Sequence, residues 1–437
     1  MLGCGTIGKG VARLLASTSG EIERKTGLAV ELAYVVELPE VIETLKGSGD
    51  APVPTGAWCS DLQKVLDDKS VEIVIELIGG YGIAKSFTLK ALAAGKHVVT
   101  ANKAMIAMFG KEICGQARFS GVSISFEASC GGGIPLISSI QRGLIANETR
   151  GIYGILNGTC NYILSEMHGA NDKSYAVGLR EAQDQGFAEP DPTLDVSGVD
   201  TAHKITILAS LAFGVSADFN QVSVEGIESV DVMDIRAGQE LGYVCKLLAI
   251  AEKQGEQVSL RVHPAFIRKD HPLAGVSGPF NAVSVYGSQV GHTMFYGRGA
   301  GPSPTASAIL ADVIDTALGN AGRAFDQLPI FPDVTPPAQY KPIDDVTVRY
   351  YFRINVVDRP GVMAEITRIF GDQGISLSAV NQHEAPEDAR ENVVPIAVLT
   401  HLAKEGDAMT AMAKIEGMDA VCAKPVCIRL MEEPEEF

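Results

Sequence analysis

Within nineteen residues, 186–204, the chain carries four carboxylates (Glu189, Asp191, Asp195 and Asp200), a histidine (His203) and a lysine (Lys204). Pro190 and Pro192 keep the first half irregular. Gly198 then releases the chain into an apolar run, 205–213, that reads as a helix. Asp200 and Lys204 are four apart, so on that helix they share a face, one turn above the other. An acid and an amine held at the mouth of an apolar helix suit amino-acid binding and proton transfer. The same spacing equally describes a solvated ion pair of small energetic consequence. The pair alone does not decide between them.

A second cluster opens the chain. Gly3-Cys4-Gly5-Thr6-Ile7-Gly8 is Gly-x-Gly-x-x-Gly leading into a helical pattern at Val11, Leu14 and Leu15. Three such glycines permit a tight turn, close approach to a pyrophosphate and close helix–strand packing, with the phosphates on free N–H groups at the helix start. The motif counts only where a strand precedes it. Here only Met1 and Leu2 do, so the first strand is expected to be missing or to lie upstream.

The elements that must position these clusters follow from the pattern downstream. Residues 28–36 read as a strand ending at Glu37, where a dinucleotide fold binds the adenosine ribose, although a solvated loop acid fits the position as well. Strand 71–78, helix 87–94 and strand 97–100 follow, delivering Thr100, Asn102 and Lys103 at a carboxyl end. Alternation of strand and helix every 20–30 residues predicts a doubly wound parallel sheet, with ligands at the carboxyl ends of its strands. Strand 123–128 runs into Cys130-Gly131-Gly132-Gly133-Ile134, which exposes backbone to a ligand or ion, or makes a hinge. Strand 152–156 ends at Asn157-Gly158-Thr159-Cys160-Asn161, a grip for a small polar substrate or a plain turn.

Residues 218–291 read as a mixture of a helix at 239–253 with strands at 258–262 and 282–286. A second glycine-rich loop, 296–302, opens a helix at 305–321. The last ninety residues repeat strand-helix-strand-strand-helix-strand, a ferredoxin-like βαββαβ unit, ahead of an acidic tail expected to fray. The resulting class is α/β. Residues 1–130 form a Rossmann-type dinucleotide-binding domain completed by helix 303–325. Residues 131–302 form an α+β substrate and dimerisation domain, 326–346 a proline-rich linker, and 347–432 the βαββαβ domain.

Bulk composition narrows the classes further. A net charge of −17 over 437 residues repels polyphosphate, so neither nucleic acid nor anionic membrane is an expected partner. Eight cysteines without metal-ligand spacing suit reduced thiols in the cytoplasm.

The motifs Gly95-Lys96-His97-Val98-Val99-Thr100-Ala101-Asn102-Lys103 and Glu127-Ala128-Ser129-Cys130-Gly131-Gly132-Gly133-Ile134-Pro135 are specific in combination. With 157–164 and 186–204 they make almost the whole chain resemble the homoserine dehydrogenases that carry a C-terminal ACT domain. The resemblance implies reversible oxidation of L-homoserine to L-aspartate 4-semialdehyde with NAD or NADP, in the branch toward threonine, methionine and isoleucine. It implies catalytic roles for Lys204, Asp200 and Lys103, with Lys204 the acid/base, and substrate contacts from Glu189, Asp200, Asn157, Thr159 and Asp195. Cofactor contacts fall to Gly3, Gly5, Thr6, Ile7, Gly8, Glu37, Thr100, Lys103, Gly186, Glu189, Gly299 and Gly301. A structural sodium ion is implied at Glu127 and the backbone carbonyls of Cys130, Gly132 and Ile134. Cys130 and Cys160 stand where valine and threonine are usual.

A homodimer or homotetramer, and an amino-acid effector on a separable ACT domain, complete the picture. Glu37 without a preceding arginine favours NAD over NADP. A lysine base is opposed by neighbouring carboxylates, which the substrate's own ammonium offsets. Two other readings compete: a different NAD-dependent hydroxy-acid dehydrogenase, and an amino-acid sensor with an inactive dehydrogenase body. The unbroken set Lys103, Glu189, Asp200 and Lys204 argues against the sensor.

Overall fold

The computed structural model describes residues 1–49, 52–169, 173–382 and 393–434. They pack into two units. The first takes Met1–Leu156, Asp200–Gln221 and Phe280–Ala338, and the second takes Asn157–Val199, Val222–Pro279 and Gln339–Phe437. The division by packing thus runs differently from the division by sequence: the central segment is shared out, and the C-terminal βαββαβ residues pack with part of it. Among the described residues no helix is long and apolar enough to cross a membrane.

In the first unit, Ile73–Glu76, His97–Thr100 and Ile124–Ser125 pair in parallel, and Val35–Val36 pairs in parallel with Trp58–Cys59. The first strand is present as a stub. Leu2 bridges both Val36 and Glu76, its N–H donating to Ile75 O and its carbonyl accepting from Leu77 N. The spatial order is that of a dinucleotide-binding sheet, with the reversal of strand order beside Gly3–Gly8. The strand expected over 28–36 is assigned only at Val35–Val36. Its neighbours explain this, since Trp58–Cys59 and the Met1–Leu2 stub each offer two residues to pair with. Val30 and Leu32 still pack against the core.

Helix Thr6–Thr26 crosses helix Pro302–Ala317, burying Val11 and Leu15 with Ala306, Ile309, Leu310 and Val313. A Cβ on Gly10 would come 2.8 Å from Pro302 O, so glycine sets that close approach. The single helix expected at 305–321 is two, broken at Gly319 (φ +78°) before Asn320–Gln327. An antiparallel trio, Thr149–Ile155, Phe280–Gly287 and Gly291–Arg298, completes the sheets of this unit. Part of the expected loop 296–302 therefore lies in a strand. The proline-rich stretch is tied down: Phe331 is buried, Asp333 takes Arg118 Nε at 2.7 Å, and Ser216 bridges Pro337.

In the second unit the expected helix 239–253 is instead strand Tyr243–Gln254, paired along its whole length with Gln257–Arg268. Long-range pairing overrides local propensity here. Helix Val232–Glu240 ends just before it. The hairpin strand Gln257–Arg268 continues through Val426–Leu430 to Tyr350–Val357, Val393–Thr400 and Leu377–Gln382. Helices Val362–Asp372 and Glu405–Glu416 cover this sheet with Ile366, Phe370, Ala411 and Ile415. The βαββαβ reading holds for the described residues. The expected strand start at Asn392 and the tail 435–437 lie outside them.

Candidate functional site

Gly198 (φ +85°) ends the irregular acidic segment, and helix Val199–Phe213 begins at once. Asp200 stands in its first turn and Lys204 one turn on, both buried at 7% and 8% exposure. Lys204 Nζ donates to Asp200 Oδ2 at 2.7 Å and to Leu156 O at 2.6 Å. Lys103 opens helix Lys103–Phe119, capped by the Asn102 side chain, and its Nζ lies 3.1 Å from Asp200 Oδ1. One carboxylate thus serves two ammonium groups, that of Lys204 buried and that of Lys103 on a side chain 39% exposed. A solvated surface pair has no such burial as Asp200 and Lys204 show, and burying an ion pair this way is costly unless it is used. The cluster's net positive charge favours oxygen that gains negative charge. His203 stacks on Phe219 with ring centroids 4.5 Å apart, and burial pushes its imidazole below the usual range.

The glycine loop divides its labour. Gly3 (φ +89°) lies against the next strand, where a Cβ would meet Leu77 O at 2.8 Å. A Cβ on Gly8 would meet Gly3 O at 2.6 Å, whereas at Gly5 it would meet nothing within 4 Å. Open space at Gly5 lies at the start of helix Thr6–Thr26, which has no side-chain cap and no acid in its first turn. Thr6 and Ile7 therefore present backbone N–H groups suited to an anion. Cys4 N donates to Glu37 Oε1 at 2.5 Å, which draws the Glu37 carboxylate onto this loop.

At the carboxyl edge of the sheet, Thr100 Oγ1 donates to Glu76 Oε2 at 2.7 Å and accepts from Asn102 N. Glu76 is fully buried and also accepts from Ile78 N, so it braces the strand ends. It escaped the sequence reading, although an acid inside the apolar run 71–78 was a visible signal.

Glu127 accepts from Ile137 N (2.8 Å) and Ser138 N (2.7 Å), and its own N–H donates to Asp312. Burial raises the Glu127 carboxyl, and raises Asp312 to about 8. Asp312 was also missed; an acid inside the largely apolar run 305–318 was the available clue. Ile134 O accepts from Leu136 N at 2.8 Å. A Cβ on Gly132 (φ +54°) would come 2.5 Å from Gly299 O, so the two glycine loops touch within this unit. Gly299 in turn lies against the Asn281 side chain, and Gly301 (φ +116°) starts helix Pro302–Ala317. The Cys130 thiol, pushed up to about 12 by burial, donates to Lys204 O at 3.7 Å.

In the second unit, Asn157 caps helix Gly158–Met167 by accepting from Cys160 N at 2.8 Å and donates to Asp195 Oδ1 at 2.8 Å. Thr159 Oγ1 donates to Phe187 O at 2.6 Å and reaches Asp195 Oδ2 at 3.2 Å. Cys160 Sγ donates to Asp195 O at 3.2 Å, so the thiol keeps a hydrogen bond to the acidic segment. Three expected substrate residues are thus one cluster that fixes Asp195. Gly186 (φ +74°) is exposed with open space at its Cβ, and Glu189 is exposed. Among the described residues no group of three or more His, Cys, Asp or Glu side chains is arranged to hold a metal ion, and none of the eight cysteines is in a disulfide.

Residues 135–314 match the family model for homoserine dehydrogenase, 3–127 that for the homoserine dehydrogenase NAD binding domain, and 350–417 that for the ACT domain. The chain is 39% identical over 435 residues to a homoserine dehydrogenase of Neisseria gonorrhoeae, covering 99% of this chain and 98% of that protein. It is 40% identical over 440 residues to one from Synechocystis, again covering 99% and 98%. A crystal structure of a homoserine dehydrogenase from Thiobacillus denitrificans superposes with a TM-score of 0.90 at 40% identity, covering 99% of this chain and 97% of that one.

Proposed function

The chain belongs to the homoserine dehydrogenase family with a C-terminal ACT domain, oxidoreductases that interconvert L-homoserine and L-aspartate 4-semialdehyde with a nicotinamide cofactor, and we propose that Lys204 is its acid/base. The observation that carries this is the buried Asp200–Lys204 pair, with Lys103 on the second oxygen of the same carboxylate. An ammonium has three N–H bonds. Lys204 spends two on Asp200 and Leu156 O, which aims the third at a substrate oxygen. In aldehyde reduction Lys204 gives its proton to the oxygen as negative charge develops there; in homoserine oxidation it takes the proton back. Lys103 and Asp200 hold it in place. The nicotinamide, when bound, supplies or receives the hydride.

Substrate recognition belongs to Asp200 and Glu189, carboxylates for the amino acid's ammonium, and to Asn157, Thr159 and Asp195, which set the acidic segment. The cofactor's pyrophosphate is assigned to Gly3, Gly5, Thr6, Ile7 and Gly8, its ribose to Glu37. Its nicotinamide side is assigned to Thr100, Lys103, Gly186 and Glu189, with Gly299 and Gly301 covering it. NAD is the favoured form, because the Glu37 carboxylate already lies on the loop and opposes a 2′-phosphate. Glu127 with the carbonyls of Cys130, Gly132 and Ile134 offers only oxygen donors, which suit a hard cation such as Na+. A homodimer or homotetramer in the cytoplasm, with an amino-acid effector at the ACT domain, is part of the same reading.

The test is Lys204→Ala in steady-state turnover of homoserine. A proton-transfer residue acts mainly in the transition state, so kcat is expected to fall by about a hundredfold or more, with a smaller change in KM. Asp200→Ala is expected to raise KM as well. Turnover of Lys204→Ala within a few-fold of wild type removes the acid/base assignment.

A further inference from the structure

We propose that Arg429, on the last strand of the ACT domain, is a positioning residue for the substrate segment 186–198. This rests on the assignment of Asp195, Asn157 and Thr159 to substrate binding. Arg429 is almost buried, with 12% of its side chain exposed, and it serves two acids at once. Its Nε lies 3.0–3.1 Å from both Glu405 oxygens, and Tyr350 OH donates to Glu405 Oε2 at 2.9 Å. Its Nη1 donates to Glu225 Oε2 at 2.7 Å. Glu405 begins an ACT helix, but Glu225 belongs to a different part of the chain.

The segment around Glu225 is wedged against the end of the acidic stretch. Ser223–Val224 pairs with Arg261–Val262, and Glu225 N donates to Val262 O at 2.8 Å. A Cβ on Gly226 would stand 2.3 Å from Val196 O, and Ile227 N donates to that same carbonyl at 2.9 Å. Gly198 lies against Val262 and Val224, where a Cβ would meet their side chains at 3.0 and 3.2 Å. Val196 follows directly on Asp195, whose carboxylate holds Asn157 and Thr159. Contacts of hydrogen-bond or van der Waals length therefore run from Arg429 through Glu225 and 226–227 to Val196 and Asp195, all within one unit.

Glycine at 226 leaves no slack in this stack, so a shift of Glu225 is passed to Val196 rather than absorbed. A guanidinium suits the task, because its planar fork serves two carboxylates in fixed directions, which an ammonium cannot do. The ACT strand thereby sets the geometry of the substrate segment even without an effector. An effector that moved the strand would act on KM for the amino acid.

The experiment measures kcat, KM for homoserine and KM for the cofactor in the full-length enzyme. Glu225 is 41% exposed on its side chain, and its replacement leaves the buried Arg429–Glu405 pair whole, so folding is preserved. Glu225→Ala is expected to raise KM for homoserine about fivefold, with kcat within about twofold and cofactor KM unchanged. Glu225→Gln, which keeps an acceptor, is expected to restore most of the loss. Arg429→Met is expected to shift the same constant, and the double variant Arg429→Met/Glu225→Ala to be no worse than Arg429→Met alone. Unchanged KM for homoserine in Glu225→Ala, equal rises in both KM values, or additive effects in the double variant overturn the proposal. Asp195→Asn separates the premise. A homoserine KM that does not move there overturns the substrate assignment and the proposal together, whereas a rise there with none in Glu225→Ala overturns the positioning role alone.

Discussion

At the scale of single residues, the proposed chemistry rests on the Asp200–Lys204 pair, placed where water is scarce. Asp200 and Lys204 were legible as a pair from their spacing, and Lys103 from its place after a strand. What spacing cannot give is that one carboxylate serves both amines and that Leu156 O takes another N–H of Lys204. Those facts depend on partners 48 and about 100 positions away in sequence. The same holds for His168, in the second unit. Its Nε2 accepts from Cys245 N at 2.9 Å, and its Nδ1 lies 2.8 Å from Gln239 Nε2. Burial first, then Lys246 and Lys269, push its imidazole from 6.5 down to about 4. A folded-state value below the unfolded one means that the native protein binds fewer protons between these limits. The His168 contribution to stability is therefore complete above about pH 6.5 and is lost as pH falls through about 4. Urea unfolding of His168→Gln is expected to show a shallower loss of stability over that window than wild type, by about one proton's slope. Parallel slopes in the two proteins contradict the assignment.

At the scale of elements, the signals that were read correctly are local and those misread are not. The glycine loop, helix Thr6–Thr26 and strand His97–Thr100 follow from turn chemistry and short apolar runs. Residues 239–253, rich in Leu, Ala, Lys and Glu, carry helical propensity, yet 243–254 is a strand because Gln257–Arg268 pairs with all of it. Gly255 (φ +60°) at the hairpin turn was the local hint. The first strand was likewise hidden by its length, since Leu2 earns its place from neighbours on both sides. That stub leads straight into the Gly3–Gly8 loop, so cofactor choice belongs to this scale.

Glu37 closes on the loop through Cys4 N. Opposing a 2′-phosphate of charge about −2 at ~5 Å and an effective dielectric of ~40 amounts to roughly 3 kcal/mol before salt screening reduces it. A preference for NAD of about tenfold in kcat/KM at one fixed ionic strength is the expected result after that screening. Glu37→Ser is the cleaner complementary variant, because an arginine at the buried Val36 disturbs the strand itself. It is expected to narrow the ratio. A wild-type preference for NADP of tenfold or more rejects the role of Glu37.

At the scale of the whole molecule, the sequence divides the chain at a proline-rich linker and leaves the ACT domain separable. The packing does not. Strand Val426–Leu430 pairs with Ala265 and Phe266 of the hairpin, and Gln339–Tyr340 pairs with Gln257–Val258 of the same strand. Arg353, on the first ACT strand, meets the fully buried Asp234 at 2.6 Å, and Tyr351 packs edge-on against Phe266 at 5.2 Å. Nothing in the composition of residues 347–432 announces these partners, because they lie between 85 and 164 residues back. Truncation after Ala338 therefore strips hydrogen bonds from strand Gln257–Arg268 and leaves Asp234 without Arg353 and Tyr351. A carboxylate that loses its arginine loses the stabilisation of the pair, and an unpaired strand edge invites association with other chains. The truncated protein is expected to melt several degrees lower and to aggregate, instead of giving a fully active enzyme released from an effector. Thermal unfolding, light scattering and homoserine turnover of the two lengths test this together. Asp234→Leu in the shortened chain removes the orphaned charge and is expected to recover part of the lost Tm, while in the full-length chain it strands Arg353 and lowers Tm. A shortened protein with wild-type Tm and turnover shows instead that the ACT domain lends the hairpin no stability.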